Sequence, residues 1–247
     1  MRAPGLRPWP RGGAERSAYA DRIFGAIADR YDLFTRLLSF GQDGRWKWQA
    51  AEAALGTPAR RLLDLATGTG AIPEALRRGG HEGAIIGLDR SGPMVARGAS
   101  RLARADVRLV RGDLNRLPFR PGSFDAITMG YGLRYLTDPR ESLQALHALL
   151  RPGGVFVSLD FGLPANRAYR SLCLGYLLAA GTAWGLLLHG RADTYHHIVE
   201  SLQAYPGQRA IEAELWKVGF VDVTRREHLG GIAALLTGRR PAETAGR

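Results

Sequence analysis

The stretch LLDLATGTGAIPEAL, residues 62–76, decides the fold class. It opens with an apolar run typical of a buried strand and closes with the pattern of a helix, and the glycine-rich turn TGTG lies between them. Gly68 and Gly70 allow a tight turn and let the backbone come close to a ligand. Because several kinds of nucleotide cofactor bind at such turns, the stretch predicts a strand, a turn and a helix that together hold a cofactor.

The alternation of strands and helices continues along the chain. Strands are predicted at 61–66, 84–88, 107–110, 124–129, 155–160, 221–225 and 232–237, with helices at 72–78, 93–103, 139–150 and 208–218. Strands that alternate with helices form a parallel sheet that is covered on both faces. The pattern therefore predicts a Rossmann-like α/β fold with a mostly parallel seven-stranded sheet.

Helical additions flank this core. Apolar residues recur at helical spacing over residues 23–38, which predicts an amphipathic N-terminal helical segment. The alternation stops after Pro164, where long apolar helices predict a helical cap at about 164–206, inserted over the ligand crevice. Residues 1–18 are rich in Pro, Gly and Arg and lack the apolar region of a signal peptide. They are predicted to be a disordered basic arm before a single domain, 19–247.

The composition is ordinary except for its charge. The 247 residues are 45% hydrophobic and 23% charged, enough for one full core. The formal net charge is +11, and 32 of the 34 basic residues are arginine. GC-rich codons would explain this bias, and so would attraction to an anionic lipid leaflet or to nucleic acid. The single Cys173 excludes an internal disulfide and a cysteine metal cage, and no metal is expected.

Carboxylates mark the ends of the first three predicted strands, which meet at one edge of a parallel sheet. Asp64 lies within the end of the first strand, Asp89 closes the second, and Asp113 follows the third. Asp89 comes 19 residues after Gly70, the spacing at which a carboxylate accepts both hydroxyls of a ribose. Asp113 is placed to accept from an adenine amino group.

The choice of cofactor lies between a dinucleotide and S-adenosylmethionine. The turn lacks the third glycine of a dinucleotide fingerprint, since Ala71, Ile72 and Pro73 follow Gly70. Asp64 would repel a pyrophosphate, whereas it could receive the ammonium group of a methionine moiety. These features favour S-adenosylmethionine.

The chain resembles the quinone-ring C-methyltransferases of ubiquinone and menaquinone biosynthesis (demethylmenaquinone methyltransferase type), which are class I S-adenosylmethionine-dependent methyltransferases. The resemblance covers roughly residues 20–240. Its specific segments are IFGAIADRYDLFTRLLSFGQDGRWK (23–47), LLDLATGTG (62–70), RLPFRPGSFDAITMGYGLRYLTD (116–138), LLRPGGVFVSLDFGLP (149–164), YHHIVESLQAYPGQ (195–208) and VGFVDVTRREHLGGIAALLTG (218–238).

The resemblance implies S-adenosylmethionine as cofactor and a prenylated quinol as methyl acceptor. The expected cofactor site consists of Asp64, Gly68, Thr69, Gly70, Asp89, Asp113, Leu114 and Gly130. The chain departs from the family pattern at Ala71, Tyr135, Asp160, His196 and His197, where the family more often has an acidic residue, Asn, Glu, Arg and Tyr respectively. These departures bear on quinone specificity more than on cofactor binding.

Arg134 follows the fourth strand, at the edge of the sheet where ligands bind. A quinol ring carbon becomes nucleophilic when its neighbouring hydroxyl ionises. Because a guanidinium has no lone pair, we expect Arg134 to stabilise the phenolate while another group accepts the proton. The candidate acceptors are water, Asp160, His196 and His197, and Asp160 and His197 complete the predicted catalytic set. The alternative for Arg134 is an ion pair with Asp138 or a surface position.

The apolar stretch 172–188 is at the lower limit of length for a membrane span. Glycine and threonine interrupt it, which favours a core segment or the wall of a groove for an isoprenoid tail. The expected partners are a prenylated quinol and, transiently, an anionic membrane surface, with a homodimer left open. The expected location is the cytoplasm, with peripheral contact at the inner membrane face.

Three rival functions are weighed against quinol methylation. A small-molecule methyltransferase of secondary metabolism is the main alternative. An assembly subunit that binds the cofactor without catalysis is another, suggested by Ala71 and Tyr135. A nucleic-acid methyltransferase is disfavoured, because the fourth strand lacks an Asn-Pro-Pro-aromatic platform and Cys173 lies outside any Pro-Cys motif. No nucleic-acid partner is therefore expected.

Overall fold

A computed structural model describes residues 9–10, 12–56 and 59–243. Its helices are α1 (Gly13–Ile27), α2 (Tyr31–Leu38), α3 (Asp43–Leu55), α4 (Ala71–Arg78), α5 (Gly92–Arg101), α6 (Pro139–Leu149), α7 (Arg167–His189), α8 (His196–Ala204) and α9 (Gln208–Val218). Its strands are β1 (Arg61–Leu65), β2 (Ala84–Asp89), β3 (Val107–Arg111), β4 (Phe124–Gly130), β5 (Leu150–Phe161), β6 (Val221–His228) and β7 (Ala233–Arg239). Every predicted strand and core helix is confirmed.

The seven strands form one sheet in the order β3-β2-β1-β4-β5-β7-β6. β1 to β5 are parallel, whereas β7 runs antiparallel to both β5 and β6. The strand order reverses at β1, which lies between β2 and β4. The connections after β1 and β4 therefore lead to opposite faces and leave a crevice at their carboxyl ends, as ligand sites in such sheets require.

Helix α3 is an element that the sequence pattern does not predict. It packs against α4 and β5 through alanines, and Ala50, Ala51 and Ala54 are fully buried. Alanine is only weakly hydrophobic. A helix that packs through alanine therefore shows little difference in hydrophobicity between its buried and exposed faces. The close approach that these small side chains permit brings the start of α3 near the carboxyl end of β4.

The disordered arm predicted for residues 1–18 is wrong over its last residues, because α1 begins at Gly13. Trp9 packs edge-on against Tyr19 and Tyr135, with ring centroids 5.5 and 5.6 Å apart. An aromatic contact therefore holds Trp9 over the end of β4, which composition alone does not reveal. Residues 1–8 lie outside the described residues.

The cap predicted at 164–206 consists of α7 and α8. α7 buries one stripe of every fourth residue, Cys173, Leu177, Gly181 and Gly185. Among the described helices, α7 is long and apolar enough to cross a membrane by length and composition. Only 22% of its apolar 18-residue stretch is buried against the rest of the protein. The interpretation of 172–188 as core therefore holds for one stripe only, and the opposite face of α7 is exposed.

Candidate active site

A cleft of about 650 Å³ that is open to solvent lies where β1, β2 and β4 end. One half is lined by the turn after β1 and by polar groups that follow β2 and β3, and includes Gly68, Asp89, Arg90, Asp113, Leu114, Asn115 and Gly130. The other half is aromatic and is lined by Phe24, Tyr31, Tyr131 and Tyr135. Five predicted cofactor residues therefore meet in one cleft.

The Asp89 carboxylate is held by two backbone amides. Oδ2 accepts from Gly68 N and Oδ1 accepts from Ser91 N, both at 2.8 Å. Gly68 has φ +52°, a conformation that favours glycine, and this turn directs its N–H toward the carboxylate. Burial raises the pKa of Asp89. The fixed carboxylate retains lone pairs toward the cleft, as recognition of a ribose diol requires.

Asp113 is more heavily engaged than the sequence suggests. Its Oδ2 accepts from Arg90 Nη1 at 2.5 Å, and its Oδ1 accepts from Asn115 N at 2.9 Å. Arg90 and Asn115 are site residues that sequence reasoning missed, although each lies within two positions of a predicted acid. Met94 and Leu114 supply apolar surface in the same half of the cleft, which suits the faces of an adenine ring.

Three predicted cofactor residues lie behind the cleft rather than in its wall. Asp64 is buried, accepts from Thr128 Oγ1 at 2.6 Å, and has its pKa raised to about 7 by burial. Thr69 turns its hydroxyl away and donates to Asp32 Oδ1 at 2.9 Å. Gly70 has φ +78°, and a Cβ there would come within 2.5 Å of Leu102 Cδ1. These residues shape the turn that the cofactor would contact.

Arg134 is neither a surface residue nor paired with Asp138, which instead caps α6. Its side chain is 4% exposed, and its Nε donates to Asp160 Oδ1 at 2.8 Å. Its Nη1 donates to Ser201 Oγ on α8 at 3.1 Å. Although burial works against the charge, Asp160 holds the pKa of Arg134 above its usual value. The guanidinium lies 5.6 Å from the ring centroid of Tyr135, directly behind the aromatic half of the cleft.

The histidines of α8 are buried and lie outside the cleft wall. His197 Nδ1 lies 3.1 Å from Thr194 O, to which it can only donate, so Nε2 is the unprotonated nitrogen. Burial lowers the pKa of His197 to about 3. Its ring packs edge-on against Phe24, with centroids 5.9 Å apart. His196 Nε2 is 2.9 Å from Thr182 Oγ1 on α7.

The residues present fit S-adenosylmethionine. Two fixed carboxylates, Asp89 and Asp113, line the cleft beside apolar side chains and a glycine turn, which are the groups that a ribose, an adenine ring and a closely approaching backbone would require. Within 9–10, 12–56 and 59–243, no cluster of three His, Cys, Asp or Glu side chains could hold a metal ion. Fold and site together define a class I S-adenosylmethionine-dependent methyltransferase.

Comparison with known proteins agrees with this class. Residues 14–240 match the ubiE/COQ5 methyltransferase family, and the chain belongs to that family. A demethylmenaquinone methyltransferase of Thermus thermophilus is 37% identical over 222 residues, covering 89% of this chain and 100% of that protein. One of Mycolicibacterium gilvum is 37% identical over 219 residues, covering 89% and 93%.

Solved structures share the fold. An S-adenosylmethionine-dependent methyltransferase of Thermotoga maritima, described as a possible histamine N-methyltransferase, has a TM-score of 0.62 at 17% identity and covers 89% of this chain and 99% of its own. A second methyltransferase, of Mesorhizobium loti, has a TM-score of 0.57 at 21% identity, covering 81% and 100%. At these identities the likeness shows the fold alone.

We expect Asp89→Ala to weaken S-adenosylmethionine binding at least tenfold, because each charge-assisted hydrogen bond to a ribose contributes about 1.5–3 kcal/mol. Isothermal calorimetry measures the affinity. Asp125→Ala is a matched control: its carboxylate also accepts two backbone amides, Arg60 N and Arg61 N at 2.8 Å, but at the opposite edge of the sheet. Unchanged affinity in Asp89→Ala would contradict the site assignment.

Proposed function

We propose that this methyltransferase methylates a ring carbon of a prenylated quinol of the demethylmenaquinol type. Its relatives of 37% identity are demethylmenaquinone methyltransferases, and they align with it over most or all of their length. The aromatic half of the cleft, backed by a buried guanidinium, is the observation that carries the proposal. A flat quinol ring can pack between the aromatic walls of the cleft. One of its hydroxyls would then be close enough for the positive charge of Arg134 to stabilise its ionised form.

The chemistry needs a nucleophilic carbon. When bound, S-adenosylmethionine supplies an electrophilic methyl group on its sulfonium. A phenol has a pKa near 10, so ionising it at neutral pH costs about 4 kcal/mol. A nearby guanidinium can lower the pKa of a neighbouring acid by about 1–3 units. Aligning the ring carbon with the methyl group contributes roughly a further 7–11 kcal/mol.

The surroundings of Asp160 favour a positioning function over proton acceptance. Its Oδ1 accepts from Arg134 Nε and from Phe161 N, and its Oδ2 accepts from Leu133 N. The side chain is fully buried, so these donors occupy most of its accepting capacity. We infer that Asp160 holds Arg134 in place. His197, with a pKa of about 3, is a weak base at neutral pH.

The decisive assay supplies purified protein with S-adenosylmethionine and either demethylmenaquinol or a demethoxy-type ubiquinol precursor, both with the same short prenyl tail. We expect faster methylation of the naphthoquinol, detected by mass spectrometry. The oxidised quinone should be inert, because it has no hydroxyl to ionise. Equal transfer to a tailless naphthol would favour a soluble acceptor of secondary metabolism. Cofactor binding without transfer to any quinol would favour the assembly subunit.

Removing Arg134 alone would leave the buried Asp160 carboxylate without its ion-pair partner. Such a loss typically costs about 3–5 kcal/mol of folding free energy, about as much as many domains can lose before they unfold. The informative variant is therefore Arg134→Met/Asp160→Asn. We expect near-normal cofactor affinity, at least tenfold slower turnover at pH 7, and partial rescue at higher pH, where solvent ionises the phenol unaided.

The matched control for this pair is Arg140→Met/Glu214→Gln, which removes an exposed ion pair of 2.8 Å between α6 and α9. It should leave the pH–rate profile unchanged. Near-normal turnover at pH 7 in the Arg134 and Asp160 double variant would leave that pair with a structural function only.

We further propose that the enzyme visits an anionic membrane surface, where a prenylated substrate resides. Leu172, Leu186 and Leu187 on the outer face of α7 are 68%, 53% and 72% exposed. Phe40, 74% exposed, extends this apolar face and stacks on Tyr176 of α7 at 5.3 Å. Several large apolar side chains exposed on one helix face favour an interaction site. Exposed arginines beside it, Arg36 and Arg167, suit anionic headgroups.

Flotation with liposomes tests this surface. We expect wild-type protein to float with anionic vesicles, to remain unbound with neutral ones, and to dissociate as salt rises. Leu172→Ser/Leu187→Ser should lose flotation, whereas Trp216→Ser, which removes a 52% exposed side chain on α9, should retain it. Salt-resistant binding would instead indicate insertion of α7, and equal flotation of both variants would place the contact elsewhere.

A further inference from the structure

Methylation of a quinol ring releases a proton, and the predicted catalytic residues do not explain which group accepts it. A ring C–H is replaced by C–CH₃ while a sulfonium becomes a neutral thioether, so each turnover releases one proton. Asp160 is engaged by three donors and His197 is a weak base, as described above. The proton that leaves the quinol hydroxyl needs another acceptor, one with a path to solvent.

Tyr131 is placed to accept it. Tyr131 lines the cleft directly after Gly130, and its hydroxyl donates to Asp43 Oδ1 at 2.7 Å. Since that hydroxyl uses its own proton toward Asp43, its lone pairs remain available to accept another. Its ring is stacked on Phe161 at 4.6 Å, and its backbone has φ +58°. A bulky aromatic residue in this conformation is strained, and such strain persists where surrounding structure imposes it, often at functional sites.

Asp43 continues the chain of hydrogen bonds away from the cleft. It is the first residue of α3 and is 6% exposed. Its Oδ2 accepts from Lys47 Nζ at 2.7 Å and from Thr35 Oγ1 at 3.3 Å. Lys47 is one of two lysines in a chain with 32 arginines. Its compact ammonium also lies 5.7 Å from the ring centroid of Tyr131, so it stabilises both partners of the Tyr131–Asp43 bond.

Asp43 and Lys47 also line a second cleft, of about 1040 Å³, which opens to solvent on the far side of this network. The rest of its charged wall consists of Asp32, Arg36, Glu74, Arg78 and Arg101. The two clefts are therefore joined by one chain of hydrogen bonds, with Tyr131 in the wall of the first and Asp43 in the wall of the second. A proton path needs one group at the substrate and one at solvent, and Tyr131 and Asp43 occupy these two positions.

Taking the proposed quinol methylation as its basis, we propose that Tyr131 and Asp43 form the proton-release route of this enzyme. The quinol hydroxyl gives its proton to Tyr131 Oη as the proton of Tyr131 passes to Asp43 Oδ1. Asp43 then releases a proton to water in the second cleft, and Lys47 holds the regenerated carboxylate. Once the ring carbon is bonded to the methyl carbon, it gives its hydrogen to water as a proton while water returns a proton to the ring oxygen, which restores the phenol. One proton leaves per methyl transferred.

The test uses Tyr131→Phe, which keeps the stacked ring, and Asp43→Asn, which keeps the shape of the side chain. Glu52→Gln is the control, since it neutralises an exposed carboxylate on the same helix. Thermal melting and calorimetric affinity for S-adenosylmethionine verify that each variant is folded. We expect at least tenfold slower methylation of demethylmenaquinol at pH 7 in both test variants, with cofactor affinity within threefold of wild type. Turnover equal to wild type in a folded Tyr131→Phe or Asp43→Asn variant overturns the route.

A second readout needs no cofactor. 1-Naphthol is a fluorescent phenol that becomes a strong acid when excited, so naphtholate emission from the bound probe reports a nearby proton acceptor. We expect this emission in wild type and Glu52→Gln and its loss in Tyr131→Phe and Asp43→Asn. Naphtholate emission that survives in both test variants overturns the route even if turnover falls. Failure of the wild-type protein to methylate any quinol is a separate result, which rejects the underlying function.

Discussion

The active-site end of the sheet depends on one fully buried carboxylate. Asp160 lies near the end of β5, and its two oxygens accept from Leu133 N, Phe161 N and Arg134 Nε. These bonds tie the loop after β4 to the neighbouring strand. A buried carboxylate left unpaired would be costly, so the loop cannot move away without breaking an ion pair in a dry environment. The position of Arg134 follows from this constraint, and so does that of Tyr135, which comes next in the same short turn.

The same carboxylate joins the cap to the sheet. Arg134, held by Asp160, donates to Ser201 on α8 at 3.1 Å. Phe34 of α2 stacks on Tyr195, just before α8, with ring centroids 3.4 Å apart. The N-terminal helices, the cap and the loop after β4 therefore pack together, although they are far apart in sequence.

The sequence alone predicts most of the fold, because strand–helix alternation and strand-end acids are local patterns. It places Asp89 and Asp113 in the cleft, Asp89 by its spacing from the glycine turn and Asp113 by its place after the third strand, and both line the cleft. It could not predict that Thr69 faces Asp32, or that Arg134 pairs with Asp160, because both contacts join distant segments. Packing through alanine makes α3 hard to predict, and Trp9 packs on Tyr19 and Tyr135 in a segment whose composition suggests disorder. The missed elements all depend on tertiary contacts.

Arginine content also has a structural use that composition cannot show. Arg77 donates to the carbonyl oxygens of four residues in the loops that follow α4 and α5, His81, Gly83, Ala105 and Asp106. A guanidinium has five donors in a fixed plane, so it can satisfy several backbone oxygens that a lysine could not. Some of the arginines that make the chain basic therefore hold loops in place rather than attract anionic partners.

The exposed apolar face of α7 has a consequence for how oligomers of this protein are interpreted. If this face binds lipid as proposed, it would also bind a second copy of itself when no lipid is present, since both associations would remove the same leucines from water. Homodimer and membrane contact would then be mutually exclusive uses of one face. A dimer in lipid-free buffer would then form through the face that otherwise contacts the bilayer. Added anionic vesicles would dissociate such a dimer into membrane-bound monomers.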